Sequence, residues 1–250
     1  MMKENENNPL MALSEAMAEA VATAGRSTVL VNARRRFPAS GVSFAPDLVL
    51  TADHVIERED DITVGLPDGK EMSASLAGRD PGSDLAVLRL SQSLTAPAEP
   101  VLGEGRVGQL AIALGRPSPE GIQASLGIIS AIGGPVRTGR GGLLERYLTT
   151  DATPYPGFSG GPLIDARGRV LGINTSGLVR GTSLAIPASL AWQTGEMLVK
   201  HGHIRRGYLG IRSQPVELPV VAQKALSRQH EQAGSVRLSS LSREGHRLYH

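Results

Sequence analysis

Residues 153–165 read TPYPGFSGGPLID. Gly157, Gly160 and Gly161 fall within five positions, with Ser159 among them, after two prolines and before a short apolar run. Glycine loses more backbone freedom on folding than any other residue, so such a cluster persists where the chain must turn sharply or be closely approached. A serine inside it suggests a substrate as the approaching group; a tight turn with an incidental serine is the plain structural reading. The residues after the serine decide between folds. G-x-S-x-G also describes the nucleophile elbow of α/β-hydrolases, which needs a strand before the serine, a helix after it and the histidine last in the chain. Here PLIDARGRVLGI reads as strand, turn at 166–168 and strand, which disfavours that fold.

The same pattern extends in both directions. Upstream, STVLVNA (27–33), GVSFA (41–45), DLVLTA (47–52), DITVGL (61–66), EMSASLAG and DLAVLRL (84–90) are short apolar or alternating runs separated by turn residues. SQSLTAPAEPVLGEG (91–105) breaks the pattern and reads as a linker. A second group follows: GQLAIALG, QASLGIISAIG, LLERYLTTD, PLID, GRVLGINT and TSLAIP. Helical patterning returns at PASLAWQTGEMLVKHG (187–202), with Pro187 suited to a first turn and Gly202 to a stop. Two groups of about six strands and a terminal helix predict an all-β chain of two small antiparallel barrels, roughly 27–92 and 105–187; a single β-sandwich is the alternative. Residues 1–26 read as a helical segment, amphipathic along Met11, Leu13, Met17 and Val21.

Composition narrows the function classes. The chain has 250 residues, 40% apolar and 20% charged, with a net charge of +2 and no cysteine. Those values suit a globular protein with a sizeable core and no thiol chemistry, and nothing global points to nucleic acid. The basic run Arg34–Arg36 reads as a solvated loop. No apolar run is long enough for a transmembrane helix. Glu15 and Glu19 interrupt the apolar N-terminal stretch, and Glu4 and Glu6 precede it, so no secretory signal is visible and a cytoplasmic location is expected.

A serine hydroxyl is a weak nucleophile until a base accepts its proton, and the usual base is a histidine oriented by a carboxylate. Of six histidines, only His54 lies within the first 200 residues, at the end of DLVLTA. It is a candidate general base, or else a polar residue opening a short turn. Asp80 sits in a Pro/Gly turn and reads as solvated. Asp84 starts the run LAVLRL, where an imidazole N–H would satisfy a half-buried carboxylate; a turn cap is the plainer role. The order His54, Asp84, Ser159 matches that of chymotrypsin.

With LTADHV, GSDLAVLRL, TDATPYPGFSGGPLID, GRVLGINT, LAIP and RRGYLGI in this succession, the chain over about 27–215 resembles the trypsin-like protease domain of the HtrA/Deg serine proteases. The resemblance implies a double-barrel serine endopeptidase acting on unfolded or extended polypeptide, with His54 as base, Asp84 as its orienter and Ser159 as nucleophile. It places the oxyanion hole at the N–H groups of Gly157 and Ser159. By motif position, Thr153, Pro154, Gly177 and Leu178 would wall the primary pocket. No metal or organic cofactor is needed, and the polypeptide substrate is the partner implied. The family often trimerises through its N-terminal segment; the residues themselves do not establish a homotrimer. The family also suggests a periplasmic or extracytoplasmic location as the alternative to a cytoplasmic one.

Two departures stand out. Phe158 replaces the Asn usual in the family, and its ring could narrow the leaving-group side or favour an inactive loop. A catalytically silent peptide-binding or chaperone module is therefore the alternative function, whereas the intact triad argues against a mere scaffold. Too few residues follow Gly210 for the PDZ domain usual in the family, so 216–250 read as a truncated remnant or disordered tail. His230, His246 and His250 have no compact metal-site spacing.

Overall fold

The computed structural model describes residues 8–93, 96–103, 105–179 and 182–204. The stretch 216–250, with its expected remnant or tail, lies outside them. Among the described residues, the strands close into two six-stranded antiparallel barrels. The first contains β1 (Thr28–Asn32), β2 (Ala39–Ala45), β3 (Leu48–Ala52), β4 (Ile62–Gly65), β5 (Glu71–Asp80) and β6 (Leu85–Leu90). They run in the order β1-β2-β3-β6-β5-β4, and β4 closes on β1. The second uses β7 (Leu110–Ser118), β8 (Gly121–Gly133), β11 (Tyr147–Thr150), β12 (Pro162–Ile164), β13 (Val170–Val179) and β14 (Thr182–Pro187). Their order is β11-β14-β13-β12-β7-β8, closed by β8 on β11. A two-strand ribbon, β9 (Val136–Arg137) and β10 (Leu143–Leu144), projects between β8 and β11.

Each barrel fills its own interior: Val29, Val31, Val49, Ile62, Val64 and Leu88 in the first, and Ala113, Ile129, Leu148, Phe158 and Leu163 in the second. The opposite faces of β3, β6, β7 and β13 meet between the barrels through Leu50, Leu85, Val87, Leu114 and Ile173. Strands buried on both faces explain why runs such as LAVLRL are nearly continuous in apolar residues.

The two helices strap this seam. α2 (Ala188–His201) leaves the second barrel and lies against the first, with Arg79 N–H bonded to the Gly202 carbonyl at 3.0 Å. Pro187 stands at its N-cap and Gly202 ends it in the left-handed conformation at φ 75°. α1 (Pro9–Gly25) starts at Asn8, whose Oδ1 accepts from Leu10 N–H at 3.0 Å. Its seat differs from the expected stripe. Ala20 and Ala24 are buried, Met17 and Val21 pack beside them, and Met11 and Leu13 are exposed. The small alanines allow close approach to the barrels, a preference that hydrophobicity alone does not reveal.

Candidate active site

Strand register builds the first half of the site. β3 pairs with β6 so that Ala52 faces Leu85, which brings the residues just beyond each strand end together. A 3-10 turn, Asp53–Val55, then carries His54 over Asp84. His54 Nδ1 lies 2.8 Å from Asp84 Oδ2, and His54 N–H donates to Asp84 Oδ1 at 2.9 Å. Asp84 is fully buried and has φ 57°, a left-handed conformation uncommon for a residue with a side chain. Strain of this kind persists only where the surroundings over-determine it. Here Thr175 Oγ1 supplies a further donor to Asp84 Oδ2. Thr175 was missed in the sequence; only its place in GRVLGINT hinted at it.

Gly177 stands directly behind this pair. A Cβ there would lie 2.6 Å from His54 Nδ1 and 2.7 Å from Asp84 Oδ2, so only glycine leaves room for the contact.

The glycine cluster forms the second half. Pro156 and Gly157 occupy the centre of a tight turn closed by Phe158 N–H to the Tyr155 carbonyl at 3.0 Å, with Gly157 at φ 90°. Proline followed by a positive-φ glycine is the signature of a type II turn. The neighbouring peptide groups are then fixed one by one. The Gly157 carbonyl accepts from Ser40 Oγ at 2.7 Å, and the Phe158 carbonyl accepts from Gly161 N–H at 2.9 Å. The Ser159 carbonyl accepts from Ser40 N–H at 3.1 Å, and Gly160 N–H donates to the Asn174 carbonyl at 2.8 Å. The N–H groups of Gly157 and Ser159 are left with no acceptor among the described residues. Both residues line the cavity described below, and fixed, unpaired backbone donors are the kind of group that can receive an anion.

Ser40 is therefore a clamp from the first barrel onto the second, and its Oγ also accepts from Arg116 N–H at 2.8 Å. Ser40→Ala should strand the Gly157 carbonyl and the Arg116 N–H. Expected are a loss of about 1–3 kcal/mol in stability from the unpaired buried groups and a lower kcat at similar KM. Denaturant unfolding and steady-state peptide hydrolysis check this; unchanged kcat would show that the turn keeps its shape without the clamp.

The two halves meet at a cavity of about 470 Å³. His54 and Ser159 both line it; the Ser159 hydroxyl pairs with Ser176 Oγ at 3.2 Å. Ala113, Thr150, Ala152, Pro154 and Leu184 form the second-barrel wall, and Arg34, Arg36, Phe37 and Glu57 the first-barrel wall. Of the four expected pocket residues only Pro154 lines the cavity. Thr153 is exposed outside it, Gly177 backs the His54–Asp84 pair, and Leu178 is buried between the barrels. Motif spacing gives chain position, not which way a twisted strand turns each side chain.

Other expectations also need correction. The Phe158 ring does not narrow the site: it is 1% exposed and points into the second-barrel core, edge-on to Tyr155 at 5.4 Å. Asp80 is 3% exposed, not solvated, and caps its own turn by accepting from Gly82 N–H, Ser83 N–H and Ser83 Oγ. Arg34 is half-buried rather than solvated, and its guanidinium holds the carbonyls of Phe37 and Pro38. Burial lowers its pKa, with Glu57 opposing. Next to His54, the buried Asp53 carboxylate binds Arg79 Nε at 2.6 Å and Arg140 at 2.8 Å. Asp53 holds the Arg79 guanidinium above its ordinary pKa. Among the described residues no cluster of His, Cys, Asp and Glu is arranged to hold a metal ion.

A serine-bearing turn and a His–Asp pair across two antiparallel barrels are the arrangement of the trypsin-like class. The family model described as "Trypsin-like peptidase domain" matches residues 39–173, and the chain belongs to that family. Within it, the chain is a protease domain of the HtrA/Deg family. It is 36% identical over 196 residues to the "Probable periplasmic serine endoprotease DegP-like" of Brucella suis biovar 1, covering 75% of this chain and 37% of that protein. It is 39% identical over 175 residues to the "Periplasmic pH-dependent serine endoprotease DegQ" of Escherichia coli K12, covering 66% and 37%. Among solved structures, "HtrA-type protease AlgW with tripeptide" superposes with a TM-score of 0.69 at 34% identity, covering 83% of this chain and 71% of that one. The serine endoprotease from Yersinia pestis gives 0.66 at 34%, covering 78% and 71%. The chain thus spans 37% of the length of the DegP-like and DegQ relatives.

Proposed function

We propose that this domain is a serine endopeptidase that cleaves extended or unfolded polypeptide. The observation that carries the reading is the pairing of Asp84 with His54 Nδ1 on the same cavity as Ser159 and two unpaired N–H groups. Asp84 holds Nδ1 protonated, which leaves Nε2 as the basic nitrogen. Nε2 takes the Ser159 proton as Oγ attacks the scissile carbonyl. The N–H groups of Gly157 and Ser159 receive the oxyanion, a stabilisation typically worth about 3–4 kcal/mol per donor. The imidazolium then protonates the leaving amine, and water hydrolyses the acyl-enzyme by the same route in reverse. A fluorophosphonate probe should label Ser159, and casein should be degraded by the wild type but not by Ser159→Ala. No label, with peptide binding retained, would favour the silent peptide-binding module.

The second-barrel wall supports a preference at the residue before the cut. Ala113, Ala152, Pro154 and Leu184 are apolar, and no acidic side chain stands on that wall among the described residues. Cleavage is expected after small to medium aliphatic residues such as Val, Ala, Leu or Met, with neighbours separated by only about 1–3 kcal/mol. Lys and Arg should be rejected more strongly, because a cation buried there meets no counter-charge. Mass-spectrometric mapping of cuts in a denatured protein checks this; dominant cleavage after Lys or Arg would overturn it.

Among the described residues no helix is long and apolar enough to cross a membrane. The DegP-like and DegQ relatives are named periplasmic. Their names favour an extracytoplasmic place of action over the cytoplasmic one expected from the sequence, and we adopt that reading.

A further inference from the structure

We infer that the loop Arg34–Phe37 forms a subsite for an acidic side chain just after the scissile bond, so that substrates carrying Asp or Glu there are preferred. The inference rests on the endopeptidase reading of the same cavity and adds the chemistry of its second side.

Geometry sets which part of a substrate reaches this loop. On the endopeptidase reading, the side chain before the cut lies against the second-barrel wall, where Ala113, Ala152, Pro154 and Leu184 line the cavity. The leaving nitrogen must meet His54, which belongs to the first barrel, because the imidazolium protonates it. The segment after the cut therefore leaves over the first barrel. The wall it meets there contains Arg34, Arg36 and Phe37, in the loop joining β1 to β2. The loop borders the oxyanion turn: a Cβ on Gly157 would lie 3.1 Å from the Pro38 carbonyl.

The two arginines have different tasks. Arg34 is spent on the loop, donating to the carbonyls of Phe37 and Pro38, the latter at 3.1 Å. Arg36 is exposed and has no hydrogen-bond or ion-pair partner among the described residues. Arg36 lines the cavity, and a guanidinium is a fork of donors matched to a carboxylate. Phe37, 69% exposed beside it, offers an apolar face for the stem of a Glu side chain. One opposing charge lines the wall, Glu57, whose Oε2 accepts from Arg35 N–H at 3.3 Å. Two cations against one carboxylate leave the wall net positive.

The test uses internally quenched peptides with one fixed aliphatic residue before the cut and Glu, Ala or Lys at the first or second position after it. For the wild type, kcat/KM for the Glu peptide should exceed that for the Ala peptide by about two- to fivefold, the scale of an exposed ion pair, with Lys below Ala. Arg36→Ala should bring the Glu/Ala ratio near one, and Arg36→Glu should invert the Glu/Lys order. Raising the salt to about 0.5 M should shrink the wild-type ratio, since exposed charges are screened. Equal rates for all three peptides in an enzyme labelled at Ser159 would overturn the subsite alone. So would a Glu preference that survives both Arg36 substitutions. No cleavage of any peptide and no label at Ser159 would overturn the endopeptidase reading and the subsite with it.

Discussion

Ser159→Ala should abolish all but a trace of peptide hydrolysis, a fall of roughly 10⁵–10⁶ in kcat, and His54→Ala should do nearly the same. Attack by Oγ and removal of its proton are one event, so losing either partner removes both. The double variant should for that reason cost little more than either single change. The fold should survive each of them. Ser159 Oγ hydrogen-bonds only with Ser176 Oγ among the described residues, and the bonds that shape its turn are made by backbone groups and the Ser40 hydroxyl. Single-turnover assays of the three variants, with circular dichroism as the control for folding, decide the matter. Losses that multiply rather than saturate would show that the two residues act independently, and the assignment would fail.

Phe158→Ala should be the most destabilising single change near the site, by about 3–5 kcal/mol, because it deletes an aromatic ring from a closed core. For a domain of this size that corresponds to roughly 10 °C in Tm. The ring sits among Ala113, Leu148, Ala152 and Leu163. It also occupies the space of a missing side chain: a Cβ at Gly115 would lie 2.4 Å from it. Gly115 and Phe158 are thus a complementary small–large pair across the second barrel. The backbone on either side of this ring carries the two unpaired N–H groups, so loss of the ring should also loosen the oxyanion turn and lower kcat. Phe158→Asn should destabilise as well, since an amide would enter an apolar pocket without partners. Differential scanning calorimetry beside peptide turnover checks both effects. An unchanged Tm in Phe158→Ala would show that the ring contributes nothing to the core.

Much of the fold was legible because its signals are local. Alternating or continuous apolar runs of strand length, bounded by Gly, Pro, Asp and Asn, mark strands whatever they later pair with. The stretch after Ser159 excluded a helix for the same reason: PLID and GRVLGINT flank a turn whose Gly168 has φ 79°. His54, Asp84 and Ser159 were legible as candidates because each stands at the end of a strand or inside a turn, where a polar group otherwise needs a reason. The helix seat was misjudged at Met11 and Leu13, since amphipathic spacing fixes a face but not how far along the helix the core extends.

What the sequence by itself determined, then, was the set of strands and turns, which come from residue-by-residue backbone preference and hydrophobic alternation, and the candidates for the reactive groups, which come from motif order. The tertiary structure alone decided which groups meet. His54 and Asp84 are 30 residues apart, and Ser40 and Gly157 are 117 apart. Their contacts depend on strand register and on how the barrels pack, and a shift of one residue in register would turn each side chain to the opposite face. The same cause lies behind Thr175 on Asp84, Phe158 in the core, Leu178 between the barrels and Arg36 at the cavity. Each is set by the direction in which a paired strand or a closed loop aims its side chains, and no local pattern encodes that direction.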